Sequence, residues 1–336
     1  MNRSQDCPSP KAALVAITKA NMTANCSVSP CLGRQFLRGF CLATILAGMG
    51  FESANAQQPN FDAGSQGQFS FQVRDGLALT AELRLPSTVA PNGIVVILHG
   101  GGGVGELERA DERDLLAQGL ATVTVDSFGG RNFRPAATTG AGTAVRPMER
   151  AADAFAVLRA LSLHPDLKGK RAVLFGRSHG GSATMVAATS WAKQAYAAGG
   201  PGYVGFIALY PGCNASYPEQ LSASAPLRMH VGEADDLTPA SPCAITAERM
   251  RTAGVDVTLT SYPGAHRAFD LQEDARYFPE WVTVGKCNLS LPSVSAPLPM
   301  NEISKCATRG ATMGRSDRAT ERFRKKRGQE IAQLLE

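Results

Sequence analysis

The sequence predicts an α/β fold, with a mostly parallel central sheet and helices on both of its faces. Short, continuously apolar segments recur along the chain, which is the pattern of strands buried on both faces. Segments with the apolar spacing of helices alternate with them, and strands that alternate with helices form parallel sheets. Glycine-containing turns separate the two kinds of segment and mark where the strands end.

The predicted elements run in order from residue 68 to the C-terminus. An antiparallel hairpin comes first, formed by FSFQV and LALTAELRL around Asp75-Gly76. The buried strands that follow are IVVIL (94–98), LATVTV (120–125), RAVLF (171–175), YVGFIALY (203–210), LRMHV (227–231) and VDVTLTSY (255–262). Helices are predicted around 107–116, 149–161, 181–189, 241–253 and 315–335, and the stretches 128–147 and 274–310 are predicted to be irregular.

Length and composition exclude several classes of protein. The chain has 336 residues, of which 44% are hydrophobic and 19% charged, with eight cysteines and a formal net charge of +5. A disordered polyelectrolyte, a collagen-like repeat and a coiled coil have different compositions. No apolar run reaches the roughly 18–20 residues that span a bilayer, so a multispanning membrane protein is also excluded.

Residues 1–56 are expected to be a leader that is removed on export. Arg34 and Arg38 precede a short apolar segment over residues 40–51, and Ala54-Asn55-Ala56 forms a small-residue cleavage site. A membrane anchor is the alternative, but about a dozen apolar residues are too few for a stable one. We therefore expect an exported protein, periplasmic or secreted.

Cleavage after Ala56 would leave residues 57–67 as a flexible lead-in and residues 68–336 as a single domain. The stretch before the basic residues is long for a signal sequence, so both Met1 and Met22 stay open as the start of translation. The mature chain keeps 29 basic and 27 acidic side chains, a net charge of +2, and four cysteines. An even number of cysteines in an exported chain indicates disulfides.

The pentapeptide Gly176-Arg177-Ser178-His179-Gly180 is a G-x-S-x-G motif between a predicted strand and a predicted helix. This context is typical of a nucleophile elbow, a sharp turn that exposes the serine above the sheet. The flanking glycines are required because a Cβ there would collide with neighbouring backbone. The alternative interpretation is a glycine-rich turn in which the serine is incidental. That interpretation loses support only if the chain also supplies a base and an acid.

A serine hydroxyl needs a base, and a carboxylate to orient that base. In hydrolases with this elbow the acid and then the histidine follow the serine in the chain. His266 lies in the loop after the last predicted strand, whereas His230 lies within a buried strand and is predicted to be a core residue. Asp235 is preferred over Asp236 as the acid, although a solvated turn would explain this acidic loop taken alone.

The tetrahedral intermediate of acyl transfer needs two backbone N–H donors. His179, which follows the nucleophile, should supply one, and Gly101 in the glycine run after the strand 94–98 should supply the other. His99 and His179 have no cysteine or carboxylate at metal-ligand spacing, and the glycine run is not a phosphate-binding loop. No metal and no cofactor are therefore predicted.

In order and spacing, these motifs resemble the dienelactone hydrolase family of the α/β-hydrolase superfamily. The resemblance covers about residues 68–336 and rests on ILHGGGG, VTVDSFGGR, LFGRSHGG, LYPGC, GEADDLTPASPC and YPGAHRAFD. The family's G-x-x-D-x-x-x-P acid loop implies Asp235 as the acid. The resemblance to the founding enzymes of the family breaks down at three positions. They look like they use a cysteine nucleophile, an oxyanion-loop glutamate and an arginine four residues after the catalytic histidine, where this chain has Ser178, Gly100 and Asp270.

The resemblance implies an α/β-hydrolase fold and a serine-nucleophile variant acting on a neutral carboxylic ester or lactone. Ser178 would form the acyl-enzyme, with His266 as base and Asp235 as orienting acid. An amide or peptide hydrolase on the same triad, and a non-catalytic ligand-binding homologue, are the alternatives. The basic terminal helix could bind nucleic acid, but it lacks interleaved aromatic residues beyond Phe323, so a solvated face is favoured.

The four remaining cysteines could form two disulfides. We hypothesise that Cys213 and Cys243 pair to steady the acid loop and that Cys287 pairs with Cys306. Two pairs of free thiols are the alternative, and the sequence does not fix the connectivity. The expected partner is a small-molecule substrate, with neither nucleic acid nor a stable membrane anchor, and the oligomeric state stays open.

Overall fold

A computed structural model describes residues 58–87, 89–134 and 144–336, all within one compact unit, Glu52–Glu336. The expected leader and its cleavage site lie outside the described residues. The strands are β1 (Gly67–Gln72), β2 (Ala78–Arg84), β3 (Ile94–Leu98), β4 (Ala121–Asp126), β5 (Ala172–Arg177), β6 (Gly205–Leu209), β7 (Ala215–Ser216), β8 (Leu227–Gly232), β9 (Val257–Tyr262), β10 (Arg276–Thr283), β11 (Leu289–Ser290) and β12 (Thr308–Met313).

Eight strands form the central sheet, in the order β1-β2-β4-β3-β5-β6-β8-β9. The β1–β2 hairpin and the β2–β4 pair are antiparallel, and every pair from β4 to β9 is parallel. The predicted fold class, an α/β-hydrolase fold with a mostly parallel sheet, is therefore confirmed. In such sheets the carboxyl ends of the parallel strands meet at one edge, where ligands bind.

Helices cover both faces of the sheet. They are α1 (Glu106–Leu116), α2 (Pro147–Leu161), α3 (His179–Ala188), α4 (Ser190–Ala197), α5 (Ala240–Thr252), α6 (Met300–Cys306) and α7 (Asp317–Leu335). Alternate side chains of β3 enter separate cores: Val96 packs in the core that holds residues of α2 and α3, and Val95 in the core that holds residues of α1 and α7. This alternation is why the strand segments are apolar throughout.

The C-terminal region contains more regular structure than the sequence predicts. Within the stretch predicted to be irregular, β10 pairs antiparallel with β12, and the short β11 pairs parallel with β7. Both pairings join segments that are distant in sequence, and β10 contains Pro279. The local sequence pattern therefore did not indicate these strands. The basic terminal helix is part of the fold, because Phe323, Ile331 and Leu334 of α7 are buried.

The sulfur atoms of both expected cysteine pairs lie at disulfide distance. Cys213 is joined to Cys243 (1.98 Å) and Cys287 to Cys306 (1.93 Å). The first bridge ties the segment after β6 to helix α5, and the second closes a loop that includes β11 and α6. Within the described ranges, no helix is long and apolar enough to cross a membrane.

Candidate active site

Ser178 occupies a strained turn between β5 and α3. Its backbone angles are φ 56° and ψ −120°, in a region that residues with a side chain rarely adopt. A Cβ at Gly176 would overlap the carbonyl oxygen of Gly180, and a Cβ at Gly180 would overlap that of Leu98. The two glycines therefore allow the close approach that the turn requires, as the motif predicts.

The turn is held by backbone hydrogen bonds on both sides of the serine. Ser178 N donates to the carbonyl oxygen of Leu209 in β6 (2.9 Å), and Ser182 N donates to the carbonyl oxygen of Ser178 (2.9 Å). The serine is therefore fixed at the carboxyl edge of the sheet and at the N-terminus of α3. Developing negative charge is stabilised at a helix N-terminus.

Of the two neighbouring aspartates, Asp235 faces the serine side of the loop. Asp235 is 4% exposed, and its Oδ1 accepts hydrogen bonds from the backbone N–H groups of Leu237 (2.9 Å) and Thr238 (2.8 Å). Asp236 is exposed and accepts a hydrogen bond from Thr312 N (2.7 Å). The buried carboxylate is held in one orientation, which favours Asp235 as the acid of the site.

The side chain that reaches Ser178 from the loop after β9 is that of Arg267. Its Nη2 donates a hydrogen bond of 2.5 Å to Ser178 Oγ, and its Nη1 lies 3.4 Å from Asp235 Oδ2. Nη1 also donates to the carbonyl oxygen of Tyr210 (2.6 Å) and to Thr238 Oγ1. The arginine is buried, at 5% exposure. Arg267 thus links the hydroxyl group of Ser178 to the carboxylate of Asp235.

The predicted base, His266, contacts the backbone beside Asp235. His266 Nδ1 lies 3.0 Å from the carbonyl oxygen of Ala234, and the ring is half-buried. Within the part of the chain that the structure describes, it makes no hydrogen bond to Ser178 and no ion pair with Asp235. The triad with His266 as its base therefore stays a prediction. Of the two adjacent side chains, Arg267 is the one in hydrogen-bond contact with Ser178.

Arginine gives this site a different chemistry from that of a histidine triad. A guanidinium has donors only and keeps its proton in proteins, so Arg267 cannot accept a proton from Ser178. Its fixed positive charge beside the hydroxyl oxygen instead favours the serine alkoxide. Strong stabilisation of developing charge by such preorganised donors is a large catalytic effect in buried sites.

Backbone strain is concentrated around this arginine. Among the described residues, four non-glycine residues have positive φ, and three of them lie here: Ser178, Tyr210 (36°) and Ala268 (50°). The fourth is Asn132. Tyr210 supplies a carbonyl oxygen that Arg267 binds, and Ala268 directly follows Arg267. Each such residue costs of order 1–3 kcal/mol, and such strain clusters at functional sites.

The predicted oxyanion loop lies against Ser178. A Cβ built on Gly100 would be 3.6 Å from Ser178 Cβ, and the predicted donor Gly101 is the next residue. His99 holds this loop, because its Nδ1 donates to the carbonyl oxygen of Gly100 (2.6 Å) and its Nε2 accepts from Ser127 N (3.3 Å). His99 therefore has a structural role between the glycine loop and the end of β4.

A buried arginine supports both histidines near the elbow. Arg150 Nη1 donates to His179 Nδ1 (2.8 Å), and Nη2 donates to the carbonyl oxygen of His99 (2.7 Å). Burial and the charge of Arg150 lower the pKa of His179 to about 3, and the same two causes hold the pKa of His99 well below its usual range. The imidazoles of His99 and His179 are therefore uncharged near pH 7, and neither adds a charge beside Ser178.

Below the elbow, Arg177 anchors a network of buried charges. Its guanidinium bonds to Asp270 and Asp111, and its Nε lies 3.3 Å from Glu108 Oε1. Asp111 also accepts a hydrogen bond from Arg327 of α7. Burial alone would lower the pKa of Arg177, but the surrounding carboxylates hold it above its usual range. Asp270 is thus a structural partner of Arg177 in the turn motif.

Comparison with known proteins identifies the family. The chain matches the dienelactone hydrolase family over residues 79–283, more than half of its length, and it belongs to that family. Membership supports a hydrolase activity. No curated protein sequence matches the chain.

The chain is also similar to solved structures, at low sequence identity. One is a candidate dienelactone hydrolase from Klebsiella pneumoniae subsp. pneumoniae, with 18% identity and a TM-score of 0.49, covering 61% of this chain and 89% of the other. Another is the apo form of Thermogutta terrifontis esterase 2, with 17% identity and a TM-score of 0.47, covering 62% of this chain and 87% of the other. At this level of similarity they inform neither substrate nor mechanism.

Sequence reasoning did not single out Arg267, the side chain in hydrogen-bond contact with Ser178 Oγ. His266 was preferred because histidine is the usual base, and the two residues are adjacent in the loop. Burial was the missing signal: Ala265 and Arg267 are buried, whereas His266 between them is half-exposed. A buried arginine needs hydrogen-bond acceptors, and groups at the carboxyl edge of the sheet, such as the carbonyl oxygen of Tyr210, accept hydrogen bonds from Arg267.

Proposed function

We propose that this protein hydrolyses a carboxylic ester or lactone through an acyl-enzyme on Ser178. The observation that carries the proposal is the strained serine turn, at φ 56°, with Arg267 donating to the hydroxyl oxygen. A turn that costs conformational energy at a serine is typical of a nucleophile. The family to which the chain belongs supports a hydrolase.

In the proposed reaction, Arg267 stabilises the alkoxide of Ser178 after hydroxide ion has removed the proton. Asp235 holds the guanidinium through the Nη1–Oδ2 contact of 3.4 Å. The alkoxide attacks the carbonyl carbon, and the backbone N–H groups of His179 and Gly101 receive the oxyanion. The tetrahedral intermediate expels the leaving alkoxide, which takes a proton from water, and leaves the acyl-enzyme. Attack by hydroxide on the acyl-enzyme then releases the carboxylate and Ser178.

The leaving group determines which substrates fit this chemistry. Arg267 is poorly suited to donate a proton to the departing oxygen, because a guanidinium gives up its proton reluctantly. Esters and lactones whose leaving oxygen is acidic, such as aryl or enol esters, are therefore expected to react fastest. An amide or peptide would require protonation of its leaving nitrogen, which argues against the amide alternative.

A non-catalytic, ligand-binding role is the second candidate. It is favoured by one observation: the group in hydrogen-bond contact with Ser178 Oγ is Arg267, which cannot accept a proton. On that account the protein would bind a ligand beside Ser178 without forming an acyl-enzyme.

Covalent labelling separates the two candidates. We expect the wild-type protein to be labelled by a fluorophosphonate and to release p-nitrophenol from p-nitrophenyl acetate, and Ser178→Ala to lose both. Ser304→Ala is the matched control, because Ser304 is exposed on α6 and its hydroxyl donates to Asn301. Equal labelling of wild type and Ser178→Ala, or no labelling of either, would rule out the acyl-enzyme.

The proposed location is outside the cytoplasm. Two bridged cysteine pairs are compatible with an exported protein, since disulfides persist in oxidising compartments. N-terminal sequencing of the protein secreted or released from the periplasm tests this location, with Gln57 expected as the first residue.

A further inference from the structure

An apolar cavity lies one helical turn from the nucleophile. Its volume is about 100 Å³, and on the α3 side it is lined by Ser182, Met185 and Val186. Ser182 Oγ lies 3.4 Å from the carbonyl oxygen of Ser178 and accepts a hydrogen bond from Gly212 N (2.9 Å). One lining side chain, that of Ser182, therefore contacts the backbone of the proposed nucleophile.

The opposite side of the cavity is formed by residues 287–298, which we term the wall segment. It contributes Leu291, Val294 and Leu298 to the lining. The wall segment lies beyond residue 283, where the family match ends, so this side of the cavity belongs to the chain's own C-terminal region.

The wall segment is fixed in place at several points. Leu291 N donates to the carbonyl oxygen of Ser216 (2.8 Å), in the β11–β7 pairing. Arg146 Nη2 donates to the carbonyl oxygens of Ala296 (2.8 Å) and Val294 (3.2 Å). The disulfide that begins at residue 287 closes the loop containing the segment. A wall held in this way gives the cavity a defined size.

On the basis of the proposed function, we infer that this cavity binds the acyl chain of the substrate and selects a short, uncharged aliphatic chain. Of the described lining residues, Arg146 alone is charged, and its guanidinium is occupied by the carbonyl groups of the wall segment. Met185, Val186 and Leu291 are buried and offer only apolar contacts. Burial of each methylene group of the chain here is favourable.

The volume of the cavity determines the preferred length of the acyl chain. A volume of about 100 Å³ accommodates roughly seven to ten water-sized groups. A chain of about six carbons fits within it, whereas ten or twelve carbons would project past the wall segment. Each methylene that enters should raise kcat/KM about threefold to fourfold, until the cavity is full.

A series of p-nitrophenyl esters from acetate to dodecanoate tests the assignment. In the wild type, kcat/KM should rise from acetate to hexanoate and fall at decanoate and dodecanoate. Leu298→Trp narrows the cavity at a half-exposed position and should lower the hexanoate-to-acetate ratio at least tenfold. Leu291→Ala widens the cavity and should raise the decanoate-to-hexanoate ratio. Ile245→Phe, at a 63% exposed position on α5, is the control that should change neither ratio.

The outcomes distinguish this inference from the proposed function. If no ester in the series is hydrolysed and no fluorophosphonate labels Ser178, the proposed function fails. If the esters are hydrolysed but both ratios stay unchanged in folded Leu298→Trp and Leu291→Ala, the cavity does not bind the acyl chain and this inference alone is overturned. Circular dichroism of each variant establishes that it is folded.

Discussion

Replacing Arg267 by histidine should raise ester hydrolysis by about 10²-fold. Histidine at this position would place an imidazole between Asp235 and Ser178, where Arg267 now makes its contacts of 3.4 Å and 2.5 Å. General-base catalysis by a positioned histidine contributes typically 10²- to 10⁴-fold, and we expect the lower end because the surrounding residues fit an arginine. The measurement is kcat/KM for p-nitrophenyl acetate near neutral pH.

Two control variants accompany this substitution. Arg267→Gln removes the charge without adding a base and should lower the rate, because the alkoxide loses its stabilising cation. His266→Ala should change kcat/KM by less than about twofold, because the ring of His266 bonds to Ala234 and not to Ser178. A loss of more than tenfold in His266→Ala, with no gain in Arg267→His, would make His266 the base and contradict the role given to Arg267.

Replacing Arg177 by methionine should destabilise the protein by about 3–5 kcal/mol. The substitution leaves Asp270, Asp111 and Glu108 buried without their shared cation, and breaking a buried ion pair by removing one partner typically costs this much. The measurement is the free energy of unfolding in urea. Fluorophosphonate labelling should also slow, because Arg177 directly precedes the strained serine.

Arg228→Met is the matched control for this prediction. Arg228 pairs with Asp256 (2.7 Å), but the carboxylate is 61% exposed, and exposed pairs contribute about 0–1 kcal/mol. A loss below about 1 kcal/mol in Arg177→Met would show that the buried network does not stabilise the elbow.

The sheet was predictable because its strands are buried on both faces. β3 and β6 are apolar throughout, and β5 is apolar until it reaches Gly176 and Arg177 of the turn motif, so local sequence alone indicates these strands. The pairing of β10 with β12 was not predictable in the same way. These strands are exposed and polar at many positions and meet across a long stretch of chain, so no periodic pattern marks them.

At the candidate site, the sequence predicts Ser178 and Asp235 because each follows a buried strand at the same edge of the sheet. The sequence alone does not determine which of the two adjacent loop residues, His266 or Arg267, is buried. That outcome depends on the acceptors available to Arg267, namely the carbonyl oxygen of Tyr210 and the hydroxyl of Thr238, which only the folded chain brings together. The cavity beside α3 could not be predicted either, since the wall segment is distant in sequence from α3.

The pH dependence of Ser178 labelling in the wild-type protein tests the central claim most directly. With Arg267 beside Ser178 and hydroxide as the base, the rate of fluorophosphonate labelling should rise about tenfold per pH unit and still be rising at pH 8. His99 and His179 do not contribute to the pH dependence of labelling in this range, because the lowered pKa of each keeps its imidazole uncharged. A rate that levels off above about pH 7, with a midpoint near the ordinary histidine pKa of about 6.5, would show an imidazole base and contradict the claim.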